Sequence, residues 1–275
     1  MSANSLPRRV IKRALAPVVG TRPYQLAQSL SMGWDIRTGN WHEPELDLIP
    51  YVVRPGDNAI DIGANYGLYA YHLSKSVGPR GRVVAFEPIP YTCASFRQIA
   101  RVLRMKNVEI VEKGCGDVAK MATFNLPIQD NGAIIAGTVH LGARNNERAG
   151  KEQHARFQKT KQIECEIVVI DDYVGALEGV SFLKCDVEGA DYWALQGARR
   201  VIEKNLPLVV CEINPWFLEG FGVKLDDLIS FFTSRGYGLY RFKGGRLLET
   251  AVADVVEDNY VFVHRDKRAP LAGLM

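Results

Sequence analysis

Two short stretches, residues 59–67 and 83–88, hold the residues of this sequence that are best placed to bind a ligand. The first is an apolar strand that runs into a glycine turn and then a helix. Gly63 and Gly67 permit tight turns and close approach of a ligand because they lack a Cβ atom, and the helix start offers unpaired N–H groups. The second stretch is an apolar strand that ends in Glu87. Such an acid accepts hydrogen bonds from both hydroxyls of a ribose, so the pattern predicts a nucleoside site.

The loop of the first stretch argues against a dinucleotide. It reads Asp61-x-Gly63-x-Asn65-x-Gly67, so the Gly-x-Gly-x-x-Gly fingerprint is absent. Asp61 would repel a pyrophosphate, whereas S-adenosylmethionine carries an ammonium, a sulfonium and a ribose but no phosphate. We therefore predict S-adenosylmethionine as the cofactor, with Asp61 near its ammonium end. The predicted cofactor contacts are Asp61, Gly63, Ala64, Asn65, Gly67, Glu87, Pro88, Asp117 and Asp186.

Strand and helix patterns alternate along most of the chain, which predicts an α/β fold. Such alternation is typical of a parallel, doubly wound sheet with helices on both faces. Two late strands, 237–242 and 260–264, are predicted to form an antiparallel pair at one end of this sheet. We divide the chain into a helical lead-in, residues 1–53, and a main domain, residues 54–275.

One long insertion, at about residues 119–169, interrupts the alternation. It contains strand patterns at 122–126 and 162–169, with a polar and basic segment between them. An insertion of this length in a compact domain is usually functional or disordered. We expect a flap or a β-rich excursion on the substrate side, with a solvated charged loop as the alternative. Asp117, just before the insertion, is predicted to meet the adenine amino group, or alternatively to form a turn.

The composition is that of an ordinary globular protein. The 275 residues are 47% hydrophobic and 24% charged, and the net charge of +3 gives no reason to expect nucleic acid as a partner. No apolar run reaches the length of about 18 residues that a transmembrane helix needs. The five cysteines have no metal or disulfide spacing, so we interpret them as reduced core thiols of a cytoplasmic protein.

The first 20 residues are basic. They include Arg8, Arg9, Lys12 and Arg13, followed by a short apolar stretch that Pro17 interrupts. The apolar stretch is too short for a signal peptide. We interpret the segment as a partly ordered helix, and its alternative role is a weak contact with a membrane surface.

The ordered set of motifs resembles the FkbM family of S-adenosylmethionine-dependent methyltransferases. Beyond the two stretches above, the resemblance rests on Ile-Asp-Asp-Tyr at 170–173, Lys-Cys-Asp-Val-Glu-Gly-Ala at 184–190, Leu-Gln-Gly-Ala at 195–198 and Pro-Leu-Val-Val-Cys-Glu at 207–212. The segment Thr-Gly-Asn-Trp-His-Glu-Pro-Glu at 38–45 is also similar to the family's lead-in. The resemblance implies a Rossmann-like class I methyltransferase fold and O-methylation of a hydroxyl on a sugar, glycan or secondary metabolite.

Three acids that follow the fourth and fifth strands, Asp186, Glu188 and Glu212, are the candidate catalytic residues. A base that removes the hydroxyl proton contributes about 10²–10⁴-fold to the rate. Asp186 directly follows an apolar strand, so we favour it over Glu188, and either side chain is alternatively a cap for the helix from about residue 190. An oxygen-only Mg²⁺ site of Asp186, Glu212 and Asn214 would instead indicate a metal-dependent O-methyltransferase. We assign no metal ligands.

Two further classes compete with methyl transfer. A dehydrogenase would need the missing glycine fingerprint. A nucleoside-binding protein without catalysis would keep the ligand loop but would not need acids at the strand ends. We therefore expect an enzyme whose second substrate is a small-molecule or glycan hydroxyl.

Overall fold

The computed structural model of the chain describes residues 21–128, 140–141 and 159–275. Its strands, in chain order, are β1 (Asn58–Ile62), β2 (Arg82–Phe86), β3 (Val108–Val111), β4 (Gly114–Cys115), β5 (Lys120–Ile128), β6 (His140–Leu141), β7 (Lys159–Val168), β8 (Val180–Cys185), β9 (Leu208–Ile213), β10 (Tyr237–Lys243), β11 (Arg246–Glu249) and β12 (Asp258–His264). Its α-helices are α1 (Thr21–Thr38), α2 (Ile49–Val52), α3 (Leu68–Val77), α4 (Pro90–Val102), α5 (Ile170–Tyr173), α6 (Asp191–Gln196), α7 (Arg199–Asn205), α8 (Pro215–Gly220) and α9 (Leu225–Thr233).

Eight strands form the main sheet in the order β11-β10-β12-β9-β8-β1-β2-β3. The five from β9 to β3 are parallel, and β12, β10 and β11 join antiparallel at one end. Ala59 of β1 belongs to one buried apolar cluster, and Ile60 and Ile62 belong to the other. Since successive side chains of a strand point to opposite faces, both faces of the sheet are covered. The predicted doubly wound, mostly parallel sheet with a late antiparallel pair is confirmed.

A smaller second sheet, in the order β4-β7-β5-β6, lies between β3 and β8 in the chain. β5 and β7 pair antiparallel along their whole length, which confirms the strand patterns predicted at 122–126 and 162–169. This sheet has its own apolar cluster, in which Phe124, Leu126 and Ile167 pack with Ile89. The basic middle of the insertion lies mostly outside the described residues.

The lead-in shares its core with the main sheet. α1 is followed by a 3-10 helix, Pro44–Leu48, and then by α2. Ile36, Leu48 and Ile49 are fully buried in the same cluster as Ala59. The lead-in therefore covers one face of the sheet, as its apolar residues require. No helix within the described ranges is long and apolar enough to cross a bilayer.

The helix expected from about residue 190 is divided into two helices, α6 and α7, which are interrupted at Gly197. The Gly197 carbonyl accepts the N–H of Asp171 at 2.8 Å. The carboxylate of Asp171 in turn accepts the N–H groups of Arg200 and Val201 at the start of α7. A distant acid thus supplies the N-terminal hydrogen bonds of the second helix.

Candidate active site

A cavity of about 290 Å³ opens where β1, β2, β8 and β9 end. This is the edge at which open α/β sheets bind ligands. Seven of the nine predicted cofactor contacts form part of its wall, namely Asp61, Gly63, Ala64, Asn65, Glu87, Pro88 and Asp186. The other two candidate catalytic acids, Glu188 and Glu212, also line it. Gly67 and Asp117 are not part of the wall.

Asp61 is buried in the cavity wall with an unused acceptor. Its Oδ2 atom has no hydrogen-bond partner. Burial raises the pKa of Asp61 from 3.8 to about 7, an effect that nearby Lys184 partly offsets. A buried carboxylate oxygen without a donor costs free energy unless a ligand supplies one. Asn65 presents a second such atom, its Oδ1, so this end of the cavity suits a ligand that carries several donors.

The two glycines of the loop form the tight turns expected of them, with left-handed φ values of +77° at Gly63 and +85° at Gly67. Their close contacts, however, are with the protein. A Cβ atom on Gly63 would lie 1.8 Å from the carbonyl oxygen of Asp186, and one on Gly67 would lie 2.1 Å from Phe96. Gly63 thus lets the loops after β1 and β8 meet, whereas Gly67 lets α3 pack against α4.

Gly67→Ala is expected to lower the free energy of unfolding by roughly 2–4 kcal/mol, since overpacking against Phe96 adds to the backbone strain. The control is Gly175→Ala, which shares a positive φ of +59° but has no atom within 4 Å of the new Cβ. The control should cost only about 1 kcal/mol. Chemical denaturation of both variants measures the difference. Equal costs would show that Phe96 moves aside freely.

Glu87 links the two loops that border the cavity. Its Oε2 accepts the N–H of Asn65 at 3.1 Å, and its Oε1 accepts the N–H of Ile89 at 3.0 Å. Burial raises the pKa of Glu87 to about 7, although the two hydrogen bonds act in the opposite direction and lower it. Each carboxylate oxygen accepts two hydrogen bonds or more, so both oxygens keep an acceptor position for a ligand.

Asp117 lies in the exposed loop between β4 and β5, outside the cavity wall. The structure therefore does not bring it together with the other predicted contacts. The reason is that β4 pairs with β7 of the second sheet and directs the following loop away. The apolar side chains that line the cavity include Phe86, Ile89, Cys115, Phe124 and Ile167.

Asp186 lies between a cation and a second acid. Its Oδ2 is 3.5 Å from Nζ of the buried Lys184, and its side chain is 36% exposed. Its carboxyl group also forms a hydrogen bond with Glu212. Burial, followed by the negative charge of Asp186, raises the pKa of Glu212 far above its ordinary value. Glu212 therefore carries a proton at neutral pH.

Neither Asp186 nor Glu188 occupies the N-cap position of α6, which was the alternative role predicted for them. The N-cap is Ala190, which has no side-chain cap hydrogen bond. Asp191 instead accepts the N–H groups of Val187 and Gly189 at 3.1 and 3.0 Å. Glu188, with a φ of +56°, adds its negative charge to the environment of Glu212.

Two of the side chains that would bind Mg²⁺ in the alternative site have other partners. Oδ1 of Asn214 caps α8 by accepting the N–H groups of Trp216 and Phe217, and Asp186 is paired with Lys184. A different group of side chains in the described ranges, Cys185, Asp191 and Cys211, lies close enough together for a metal ion. The carboxylate oxygens of Asp191 already accept hydrogen bonds from backbone N–H groups. Burial raises the pKa of both thiols, which keeps them protonated.

Residues 61–239, more than half of the chain, match the family model of the methyltransferase FkbM domain. The chain belongs to the FkbM methyltransferase family. The resemblance stated from the motifs is thereby confirmed, and the family domain includes every candidate acid of the cavity.

Several known proteins are similar to this FkbM chain. Methyltransferase 1 of Beauveria bassiana (strain ARSEF 2860) is 26% identical over an aligned span of 161 residues, and the match covers 55% of this chain and 61% of that protein. The chain thus spans less than two thirds of that relative. The structure of methyltransferase FkbM from Methylobacillus flagellatus KT is 15% identical with a TM-score of 0.45, covering 93% of this chain and 59% of that one. A putative methyltransferase from Streptococcus mutans in complex with SAH is 11% identical with a TM-score of 0.44, covering 80% and 96%.

One central residue of this FkbM site, the buried Lys184, was not predicted from the sequence. Its Nζ donates to Oδ1 of Asn259 at 3.0 Å, and Nδ2 of Asn259 lies 3.4 and 3.5 Å from carboxylate oxygens of Glu43 and Glu45. The carboxylates of Asp186 and Glu43 raise the pKa of Lys184 more than burial lowers it. Lys184 therefore stays charged among several acids. A lysine in a mostly apolar strand was the feature of the sequence that could have identified it.

Proposed function

We propose that the protein is an S-adenosylmethionine-dependent O-methyltransferase that acts on a hydroxyl of a sugar, glycan or secondary metabolite. The observation that carries this proposal is the buried Oδ2 of Asp61, which has no partner in the protein and faces the cavity. An ammonium group is the donor that a lone buried carboxylate suits best. Membership of the FkbM family supports the type of reaction.

The cavity also fits the remaining parts of this cofactor. Glu87 keeps acceptor positions for the two ribose hydroxyls, and it is held rigidly by the N–H groups of Asn65 and Ile89. The apolar side chains of Phe124 and Ile167 offer a surface on which an adenine ring can stack or pack. When bound, S-adenosylmethionine supplies an electrophilic methyl group on its sulfonium.

The protein's own contribution to the transfer is alignment and proton removal. Asp186 would accept the proton of an acceptor hydroxyl held beside it, and bound S-adenosylmethionine would supply the methyl group. Nζ of Lys184 lies 3.5 Å from Oδ2 of Asp186 and places a positive charge beside this carboxylate, while Glu212 keeps its own proton. Holding the two reactants in line supplies much of the rate, because it replaces a bimolecular encounter by a positioned reaction.

Glu87→Ala is expected to weaken binding of S-adenosylhomocysteine, the demethylated product, by roughly 1.5–3 kcal/mol, the scale of hydrogen bonds to a charged group. Calorimetry on the purified protein measures the change. The matched control is Asp117→Asn, whose side chain is exposed and outside the cavity, and its affinity should equal that of the wild type. Binding of NAD without binding of S-adenosylmethionine or S-adenosylhomocysteine would exclude the proposed cofactor.

A further inference from the structure

Lys184 and Asp61 are neighbours on adjacent strands of the main sheet. The register of β1 and β8 pairs Asp61 directly with Lys184. The residues two positions earlier in these strands, Ala59 and Phe182, belong to the same buried cluster, so both polar side chains lie on one face of the sheet. Lys184 is 2% exposed and Asp61 is 1% exposed. A cation and a carboxyl group therefore lie side by side where little water can screen their interaction.

The ammonium group of Lys184 is held by contacts from three elements. Its Nζ donates to Oδ1 of Asn259 on β12 at 3.0 Å. It also lies 3.5 Å from Oδ2 of Asp186 and 5.1 Å from the centre of the Tyr69 ring on α3. Other titratable side chains act on Lys184 from the lead-in and from β9, namely Glu43, Glu45, Cys211 and Glu212. These contacts hold the positive charge at the edge of the sheet, beside Asp61.

The carboxyl group of Asp61 is subject to opposing effects. Burial is the largest effect and raises its pKa to about 7. The negative charges of Asp186 and Glu43 raise the pKa further, whereas the charge of Lys184 and a hydrogen bond from the N–H of Ala70 lower it. Without Lys184, burial and the two acids would be opposed by the hydrogen bond alone. Asp61 would then be protonated at neutral pH, and a neutral carboxyl group lacks the charge that makes an ammonium group a strong partner.

We propose that Lys184 is a positioning residue for the cofactor, because its charge keeps Asp61 in the ionised form that binds the ammonium group of S-adenosylmethionine. This inference rests on the proposed function, in which that ammonium group is the partner of Asp61. Lys184 acts through Asp61 and needs no contact with the ligand. Since Lys184 also lies beside Asp186, one buried cation serves both the acid proposed for the cofactor and the acid proposed for proton removal.

The test is the pH dependence of the affinity for S-adenosylhomocysteine, measured by calorimetry on the wild type and on Lys184→Met. An adjacent opposite charge typically lowers the pKa of a carboxyl group by about 1–3. Because the pKa of Asp61 is about 7 with Lys184 present, the variant should bind about fivefold more weakly, or worse, at pH 7. The deficit should shrink as the pH is raised to about 9, because more of the Asp61 carboxyl group then ionises.

Asp61→Asn provides the matched background for this comparison. In that background Lys184→Met should cause no pH-dependent loss of affinity, since no carboxylate remains to be kept ionised. A second control is Lys113→Met, which removes a cavity lysine that pairs with Glu166 at 2.7 Å. Its pH dependence should be that of the wild type. A deficit of equal size at every pH would overturn the proposal, because Lys184 would then have a structural role. A pH-dependent deficit that persists in the Asp61→Asn background would also overturn it.

Unfolding by denaturant gives a measurement that needs no ligand. The free energy of unfolding falls as the pH rises toward the pKa of Asp61 in the folded protein, so in Lys184→Met the fall should extend to higher pH than in the wild type. This extension should be absent in the Asp61→Asn background. Lys184→Gln, which keeps a hydrogen-bond donor for Asn259, takes the place of the methionine variant if that variant does not fold.

The two measurements separate this inference from the proposed function. A wild type that binds neither S-adenosylmethionine nor S-adenosylhomocysteine at any pH would refute the proposed function. If the wild type binds them and the pH dependence of both affinity and unfolding is unchanged in Lys184→Met, the proposed function stands and the role of Lys184 is refuted.

Discussion

Replacing Asp61 by asparagine is expected to stabilise the free protein and at the same time to weaken cofactor binding. The pKa of Asp61 is raised to about 7 chiefly by burial, so the ionised carboxylate destabilises the folded state near neutral pH. Asparagine removes the buried charge, and the gain in the free energy of unfolding should be roughly 1–3 kcal/mol at pH 8. The same change removes the charged acceptor proposed for the ammonium, which should cost about 10-fold or more in affinity.

The pH dependence of the free energy of unfolding should show the same destabilising effect of the ionised Asp61. The pKa of Asp61 is higher in the folded protein, at about 7, than its ordinary value of 3.8, and Glu87 shows the same direction. Between these two values the folded state binds more protons than the unfolded state. The free energy of unfolding of the wild type should therefore fall as the pH rises from about 4 to about 7. Asp61→Asn should show a shallower fall, and above pH 7 its advantage should be complete.

Denaturant unfolding at several pH values and calorimetry with S-adenosylhomocysteine measure the two effects. Asp117→Asn serves as the control, since its exposed side chain should change neither quantity. If Asp61→Asn lowered stability and left affinity intact, the acid would have a structural role and the cavity would have to bind its ligand in another way.

Local patterns in the sequence were sufficient for the features that depend on neighbouring residues. The strand β1, the positive φ of Gly63 and the position of Glu87 at the end of β2 all follow from the alternation of apolar residues and from the glycine turn. Because parallel strands end at one edge of the sheet, the approach of Asp186 to Asp61 could also be anticipated. Both carboxylates line the cavity.

The features that the sequence did not predict depend on residues that are distant in the chain. Lys184 is held by Asn259 of β12, 75 residues later, and no local pattern shows that a strand lysine has such a partner. The break between α6 and α7 depends on Asp171. Its N–H donates to the carbonyl oxygen of Gly197, and its carboxylate accepts the N–H of Arg200 at the start of α7. Asp117 lies outside the cavity because β4 pairs with the second sheet, a pairing that loop composition does not reveal.

The catalytic acid can be identified by comparing two isosteric amides, Asp186→Asn and Glu212→Gln. Because burial and the charge of Asp186 raise the pKa of Glu212, Glu212 is protonated near neutral pH and glutamine resembles its resident form. We expect Glu212→Gln to keep turnover within a few-fold of the wild type. Asparagine at 186 cannot accept the hydroxyl proton, so turnover should fall about 10²-fold or more.

Both variants should fold and bind S-adenosylhomocysteine nearly as the wild type does. The structure supports this expectation for Asp186→Asn, since Asp186 caps no helix and the loop N–H groups of Val187 and Gly189 are bonded to Asp191. Turnover is measured as release of S-adenosylhomocysteine with a panel of glycosides and phenols, after affinity has been measured by calorimetry. A loss of turnover in Glu212→Gln with full activity in Asp186→Asn would reverse the roles, and Glu212 would then be the base. Equal losses would mean that the two carboxyl groups act only as a pair.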